Sequence, residues 1–306
     1  TLIQYFFGKD IFGFETGNSH GTRLSGPFGD EYVVGAFIAK FFFISLMYLH
    51  INYNKKKFQL YIVLFFSISL LVVFLSQERS AFFIFILASV FYFIFARLNL
   101  KIKFYTLAIT VLLISTILYN NDSYKNKYYK LTSQQLGISK VPHQYNSYKN
   151  FQTDSFWDSR YGAHFLTAIE IFKDNKFTGA GAKNFRKICS LEKYASIDSN
   201  YYEDRCNTHP HNIYLEILSE LGLFGFILFC LFILFVTVKN FFLYFKNLNN
   251  NHDNFLYLNN LCLLTILFFP VQTTGSFFSS FNGVFYWVGL SLVMNNMNFK
   301  LFRNFD

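Results

Sequence analysis

Charge is scarce in this chain. Asp, Glu, Lys and Arg make up 15% of its 306 residues, against about a quarter in a soluble globular domain. That shortage argues against an ordinary water-soluble fold. Metal-binding patterns are also missing. There is no Asp-x-Asp motif and no His/Cys ligand cluster, so the expectation is a protein with no metal and no cofactor. The glycines of Thr178-Gly179-Ala180-Gly181 lack the strand–loop–helix surroundings of a nucleotide loop. No cleavable signal peptide is visible, and the chain starts at Thr1 rather than Met.

Apolar and aromatic residues are abundant instead. Hydrophobic residues are 53% of the chain and aromatics 22%, with 44 Phe and 21 Tyr. They are clumped into runs of about 16 to 26 residues, close to the length that crosses a bilayer as a helix. Mean hydropathy is only +0.27, so a sizeable polar part accompanies the runs. The expected fold class is an all-α integral membrane protein with about seven transmembrane helices and one large periplasmic loop domain. The net charge of +9 does not point to nucleic acid, because the cations collect at the ends of the apolar runs, where membrane topology explains them.

Taken in order, residues 1–32 read as a polar, Gly-rich outer segment with turns near Gly26-Pro27 and Gly29-Asp30. Residues 33–119 hold four apolar runs. Lys40 lies inside the first, a charge that must face protein or water, or snorkel. Residues 120–212 form one polar segment too long for an ordinary connection. Within it, 161–175 has apolar residues at helical spacing (Phe165, Ala168, Ile169, Phe172) and reads as a helix on the membrane surface or against the bundle. Residues 213–306 hold three further runs, the first beginning at Ile213 and reaching about Val238. Ten cations mark the expected cytoplasmic ends: Lys55, Lys56 and Lys57; Arg97, Lys101 and Lys103; Lys239 and Lys246; Lys300 and Arg303. The two short outer turns hold only Arg79. Long loops are exempt from the charge rule, so 120–212 is expected outside the cell membrane. Cys189 and Cys206 both fall in it. An oxidising compartment permits a disulfide between them. Cys230 and Cys262 lie in apolar runs and read as packing residues.

The polar groups able to do chemistry collect at this outer face. His211 sits where the loop meets an apolar helix, a setting that suits proton transfer and equally suits a simple helix cap. Arg79 tops a tight helical hairpin. It reads either as an anion ligand or as the ion-pair partner of Glu78. Arg160 reads as a second anion ligand or as the partner of Asp158. Glu216 and Glu220, spaced i, i+4, read as solvated residues at the helix mouth. Arg23 reads as a solvated surface cation.

The stretch His211-Asn212, nine residues, Gly222, two residues, Gly225 resembles the signature of O-antigen ligases. Gln77-Glu78-Arg79-Ser80-Ala81 resembles that family's arginine-bearing hairpin. Asp158-Ser159-Arg160 with Phe177-Thr178-Gly179-Ala180-Gly181 and Phe185 resembles the start of its large loop, and Arg23-Leu24-Ser25-Gly26 the loop before an upstream helix. The family usually has about twelve crossings, so helices upstream of Thr1 are expected. The resemblance implies a metal-independent glycosyltransferase of the bacterial inner membrane, active on the periplasmic side. Its donor would be an undecaprenyl-diphosphate-linked glycan. Its acceptor would be a sugar hydroxyl of lipid A core for a ligase, or another lipid-linked repeat unit for an O-antigen polymerase. It implies His211 as the base, with Arg79 and Arg160 on the pyrophosphate and Arg23 and Lys40 as further phosphate ligands. Membrane lipids are the remaining partner. A lipid-linked glycan transporter is the alternative from another class. The absence of internal repeats and the gathering of polar groups at one face disfavour it.

Overall fold

The computed structural model describes residues 1–15, 23–135, 156–197, 199 and 201–297. Lys300 and Arg303, expected at a cytoplasmic end, lie outside the described residues. The described part is helical, with one isolated β-bridge, Lys9 to Glu15, and no strand. The α-helices are α1 (Leu2–Phe7), α2 (Val34–Asn52), α3 (Lys55–Leu75), α4 (Arg79–Phe95), α5 (Leu100–Asn120), α6 (Asp122–Lys125), α7 (Leu131–Gln135), α8 (Arg160–Asp174), α9 (Phe185–Ile188), α10 (Ile213–Lys246), α11 (Asn251–Phe268) and α12 (Ser280–Met297).

Short polar residues start several of the long helices. Asn54 accepts from the Lys57 N–H, Asn99 from Lys101, Ser159 from Gly162, Asn212 from Tyr214 and Leu215, and Asn250 from His252 and Asp253. Each such cap satisfies N–H groups that the first turn leaves unpaired and stabilises its helix by about 1 kcal/mol. All seven apolar runs fold as helices, namely α2–α5 and α10–α12. Four of them (α2, α3, α5 and α10) are both long and apolar enough to cross a membrane. Arg79–Phe95 is apolar but shorter.

The chain divides into two compact units. The first comprises Thr1–Lys125, Val236–Phe269 and Val288–Asp306. In lipid, apolar burial does little to draw helices together, so packing and buried hydrogen bonds must hold them. Phenylalanine supplies the packing. Phe42, from α2, lies 4.4 Å from Phe66 (α3) and 4.8 Å from Phe85 (α4), ring centre to ring centre, and Tyr92 reaches Phe66 at 5.3 Å. Edge-to-face pairs of this kind add about 0.5–1.5 kcal/mol each. The hydrogen bonds come from a ladder of buried asparagines. Asn296 Nδ2 donates to Asn260 Oδ1 at 2.9 Å, Asn260 Nδ2 donates to Asn240 Oδ1 at 2.9 Å, and Asn240 returns a bond to the Val236 carbonyl. Asn259 donates to the Phe43 carbonyl at 2.7 Å.

The second unit comprises Asn126–Phe235 and Pro270–Trp287. It gathers most of the long loop with the first part of α10 and the α11–α12 connection. Helix α8 lies at its centre. The buried face carries Gly162, Ala163, His164, Thr167, Ala168 and Ile171. Of the expected stripe, Ala168 lies on it, while Phe165, Ile169 and Phe172 are only half-buried. This face packs on the helix's own loop. Ala168 and Ile171 form a core with Phe185, Cys189 and Tyr194, against which Ala180, Ile188, Cys206 and Leu215 pack.

Candidate active site

The start of α10 is built by three neighbouring residues with separate tasks. Asn212, not His211, caps the helix. Its Oδ1 accepts from the Tyr214 and Leu215 N–H groups, and its Nδ2 donates to the Pro270 carbonyl at 2.7 Å and to the Gln272 carbonyl at 3.3 Å. His211 adopts φ 59, a left-handed conformation that costs a side-chain-bearing residue roughly 1–2 kcal/mol. The turn is held by its surroundings. The His211 carbonyl accepts from the Thr274 N–H at 2.7 Å, and His209 Nε2 lies 3.0 Å from the Thr274 carbonyl. Strain sustained in this way often marks a working position.

Three imidazoles converge there. The His211 ring centre is 4.3 Å from that of His209 and 5.3 Å from that of His164, and Tyr161 meets it edge-on at 5.5 Å. His164 Nδ1 lies 3.2 Å from the Arg205 carbonyl. Burial, followed by the neighbouring His209 and His164, pushes the His211 pKa down to about 3. Burial also lowers those of His164 and His209. The cluster is therefore neutral at physiological pH, and His211 offers a free-base imidazole. Its Nε2 lies 3.0 Å from the Asn207 side-chain nitrogen. Among the described residues no group of three or more His, Cys, Asp and Glu has the arrangement to hold a metal ion.

Helix α10 breaks about two and a half turns further on, at Gly222 (φ 67, ψ −168). The loop segment 176–181 pairs with the broken backbone. Leu223 donates to the Lys176 carbonyl at 2.8 Å, Ala180 to Ser219 at 2.9 Å and Gly181 to Glu220 at 2.8 Å. Gly222 faces Gly179 (φ 70), and a Cβ on either would run into the other's backbone. The Gly222 of the His-Asn signature and the Thr178-Gly179-Ala180-Gly181 stretch thus answer to one contact. The two glutamates ahead of that break, Glu216 and Glu220, are buried, each 1% exposed. This corrects the reading of Glu216 and Glu220 as solvated. Glu220 accepts from the Lys183 and Phe185 N–H groups at 2.5 and 3.0 Å, holding the start of α9. Glu216 accepts from Phe277 N–H at 2.7 Å and from the Ser276 hydroxyl, holding the α11–α12 connection.

Arg160 opens α8. Its Nε pairs with Asp204 at 3.2 Å, with side-chain exposures of 70% and 44%. An ion pair that open contributes about 0–1 kcal/mol. The disulfide joins Cys189 and Cys206, Cα to Cα 5.3 Å. It closes the segment just ahead of Asn207.

The other sequence-derived candidates belong to the first unit. Glu78 turns its carboxylate to the start of α2, accepting from Gly35 N–H at 2.5 Å and Ala36 N–H at 3.2 Å. Burial raises the Glu78 pKa. The two N–H groups and the charges of Arg23 and Lys40 oppose that rise. One carboxylate therefore has Arg23 and Lys40 within electrostatic reach, and Arg79 follows it in the chain as the first residue of α4. Arg23 is half-buried rather than solvated. It donates to the Tyr32 carbonyl at 3.1 Å and stacks over the Tyr32 ring at 4.9 Å. The structure thus groups Arg23, Lys40 and Arg79 in one unit and Arg160, His211, Cys189 and Cys206 in the other.

Sequence reasoning missed Asn207, His164, Thr274 and the structural role of both glutamates. Their partners lie 41 to 65 residues away in the chain for His164, His209 and Glu216, beyond any local pattern. The polar residue Asn207, four before His211, was the one signal in plain view.

Comparison with known proteins bears on the same residues. No curated protein matches the chain. A family model described as O-antigen ligase matches residues 62–230, a span that takes in Arg79, Arg160, the disulfide, His211 and Gly222. More than half of the chain is covered. With its helices of membrane-crossing length and the imidazole cluster at the mouth of α10, the chain belongs to the O-antigen ligase family.

Proposed function

We propose that this chain moves a glycan from an undecaprenyl-diphosphate carrier to a sugar hydroxyl of lipid A core, on the periplasmic side of the bacterial inner membrane. The observation that carries the reading is the His211 imidazole, clustered with His209 and His164 at the loop end of a membrane-length helix, within the stretch matched by the family. In the reaction the acceptor oxygen attacks the anomeric carbon. Its proton passes to His211, the new C–O bond forms, and the bond from the anomeric carbon to the diphosphate breaks. The diphosphate leaves with its charge. Arginine suits that charge, since its planar fork matches phosphate oxygens in pairs. The family resemblance implies Arg79 and Arg160 for this role, and Arg23 and Lys40 as further phosphate ligands. Charge held where it develops is commonly the largest contribution to such catalysis. No metal enters the step.

The test uses the chain in lipid nanodiscs with a native lipid-linked donor and, separately, lipid A core and a second lipid-linked repeat unit as acceptors. Transfer to lipid A core is expected. His211→Ala is expected to lower kcat by about 10²- to 10⁴-fold, the usual span for an acid–base group, with the protein inserted and its disulfide formed. Transfer only to the lipid-linked acceptor would make the protein a polymerase. Undiminished turnover in His211→Ala would refute the base assignment.

A further inference from the structure

Resting on that reading of His211, we propose that Asn207 is the positioning residue of the base: its side-chain amide holds the imidazole with the proton on Nδ1 and the lone pair on Nε2, and it occupies the place the acceptor hydroxyl takes.

The orientation of the Asn207 amide is fixed by its own neighbours. Its Oδ1 accepts from the Thr208 N–H at 2.7 Å and faces the Thr208 hydroxyl at 3.4 Å. That leaves Nδ2, which can only donate, facing His211 Nε2 at 3.0 Å. Nε2 must then be the accepting nitrogen. A neutral imidazole carries one N–H, so the proton sits on Nδ1. The tautomer is assigned here from the hydrogen-bond network.

The arrangement has a chemical consequence. The lone pair that must take a proton is the one facing Asn207, which is exposed at the surface of its unit. An acceptor hydroxyl that replaces the amide donates to the same Nε2 in the same direction. When the O–H bond breaks, its proton moves to Nε2 while the Nδ1 proton stays in place. Asn207 keeps its Oδ1 on the Thr208 N–H and turns only its amide nitrogen to the ring, so in this orientation it does not trap the imidazolium. An aspartate at 207 would do the reverse: it would accept from Nε2–H and remove the lone pair.

The experiment uses the whole chain in nanodiscs, labelled with ¹⁵N-histidine. Long-range ¹H–¹⁵N spectra report the protonated ring nitrogen, and a His211→Gln spectrum identifies the His211 signals. The wild type is expected to show Nδ1–H with unprotonated Nε2 at neutral pH. Asn207→Asp is expected to protonate Nε2 and lower kcat by about 10²-fold or more, with donor KM within about twofold. Asn207→Gln keeps a donor and is expected to retain the Nδ1–H tautomer and most of the turnover. A wild-type spectrum with Nε2–H overturns the proposal without any variant. An Asn207→Asp protein with unchanged tautomer and turnover overturns it too. The two readings fail separately. Retained transfer in His211→Ala refutes the base assignment, whereas lost transfer in His211→Ala beside an unmoved tautomer in Asn207→Asp refutes the positioning role alone.

Discussion

Replacing Gly222 with alanine should loosen the second unit far more than a mid-helix glycine-to-alanine change normally would. In an ordinary helix the substitution stabilises, by up to about 1 kcal/mol. Here φ 67 with ψ −168 falls in a region open essentially to glycine alone, at a cost of about 1–3 kcal/mol for any other residue. The new Cβ would also meet the Phe177 carbonyl and the Gly179 nitrogen, backbone atoms that cannot swing aside. The segment 176–181 must move, and with it go some of the bonds from Leu223 to Lys176, from Ala180 to Ser219 and from Gly181 to Glu220. Losing two of them adds about 2 kcal/mol. The sum is about 3–5 kcal/mol, or roughly 10²- to 4 × 10³-fold in a local opening equilibrium at about 1.4 kcal/mol per decade. Hydrogen exchange read by mass spectrometry measures this directly. Peptides covering 176–186 and 213–222 should exchange faster by that factor, while peptides from α2 and α3 stay as in the wild type. Exchange within about threefold of wild type in 176–186 would refute the reasoning, because the loop would not then rest on the break in α10.

Two further outcomes follow from the polar interior. His164, His209 and His211 all have pKa values lowered by burial, His211 to about 3. Between pH 6.5 and about 3 the unfolded chain binds protons that the folded one refuses, so the stability these histidines contribute is whole above pH 6.5 and lost as pH falls through that window. Thermal unfolding of the 156–215 region, followed by hydrogen exchange at pH 7.5, 6, 5 and 4, should show that loss, and His211→Gln should flatten it. A pH-independent midpoint would contradict it. Asn260 links Asn296 and Asn240 within the first unit. Asn260→Leu should destabilise by about 1–2 kcal/mol, at the buried-membrane hydrogen-bond scale of about 0.6–1.7 kcal/mol each, measured by denaturant unfolding in detergent. A neutral result would mean that the ladder is not under load.

Much of this was legible from the chain because the relevant signals are local. Apolar runs mark the long helices. A polar residue before an apolar run marks a helix start, and His211 was visible on those grounds. What was hidden depends on partners distant in sequence. Glu216 and Glu220 look solvated when their helix is read alone, since a carboxylate at a helix mouth usually is. They are buried because the N–H groups of 183, 185 and 277 come to them. Gly222 looks like a tolerated helix glycine until Gly179 is set against it. The seven-run reading treated α10 as one continuous span reaching about Val238. The helix runs to Lys246 and contains a break that hydropathy does not register, because the residues around it remain apolar. Of the stripe expected on α8 only Ala168 is fully buried, since the most apolar face was assumed to be the buried one. Burial there follows the disulfide core of the loop instead.

The dependence of the loop on α10 also sets an order of events during synthesis. Residues 156–206 leave the ribosome before Glu220 and Gly222 exist. Until those residues follow, the N–H groups of Lys183 and Phe185 and the carbonyl of Lys176 lack the partners that hold them in the finished protein. The segment ahead of the histidines therefore waits as an unfinished chain until the first turns of a later helix complete it. Maturation of this domain is tied to the insertion of the helix that follows it.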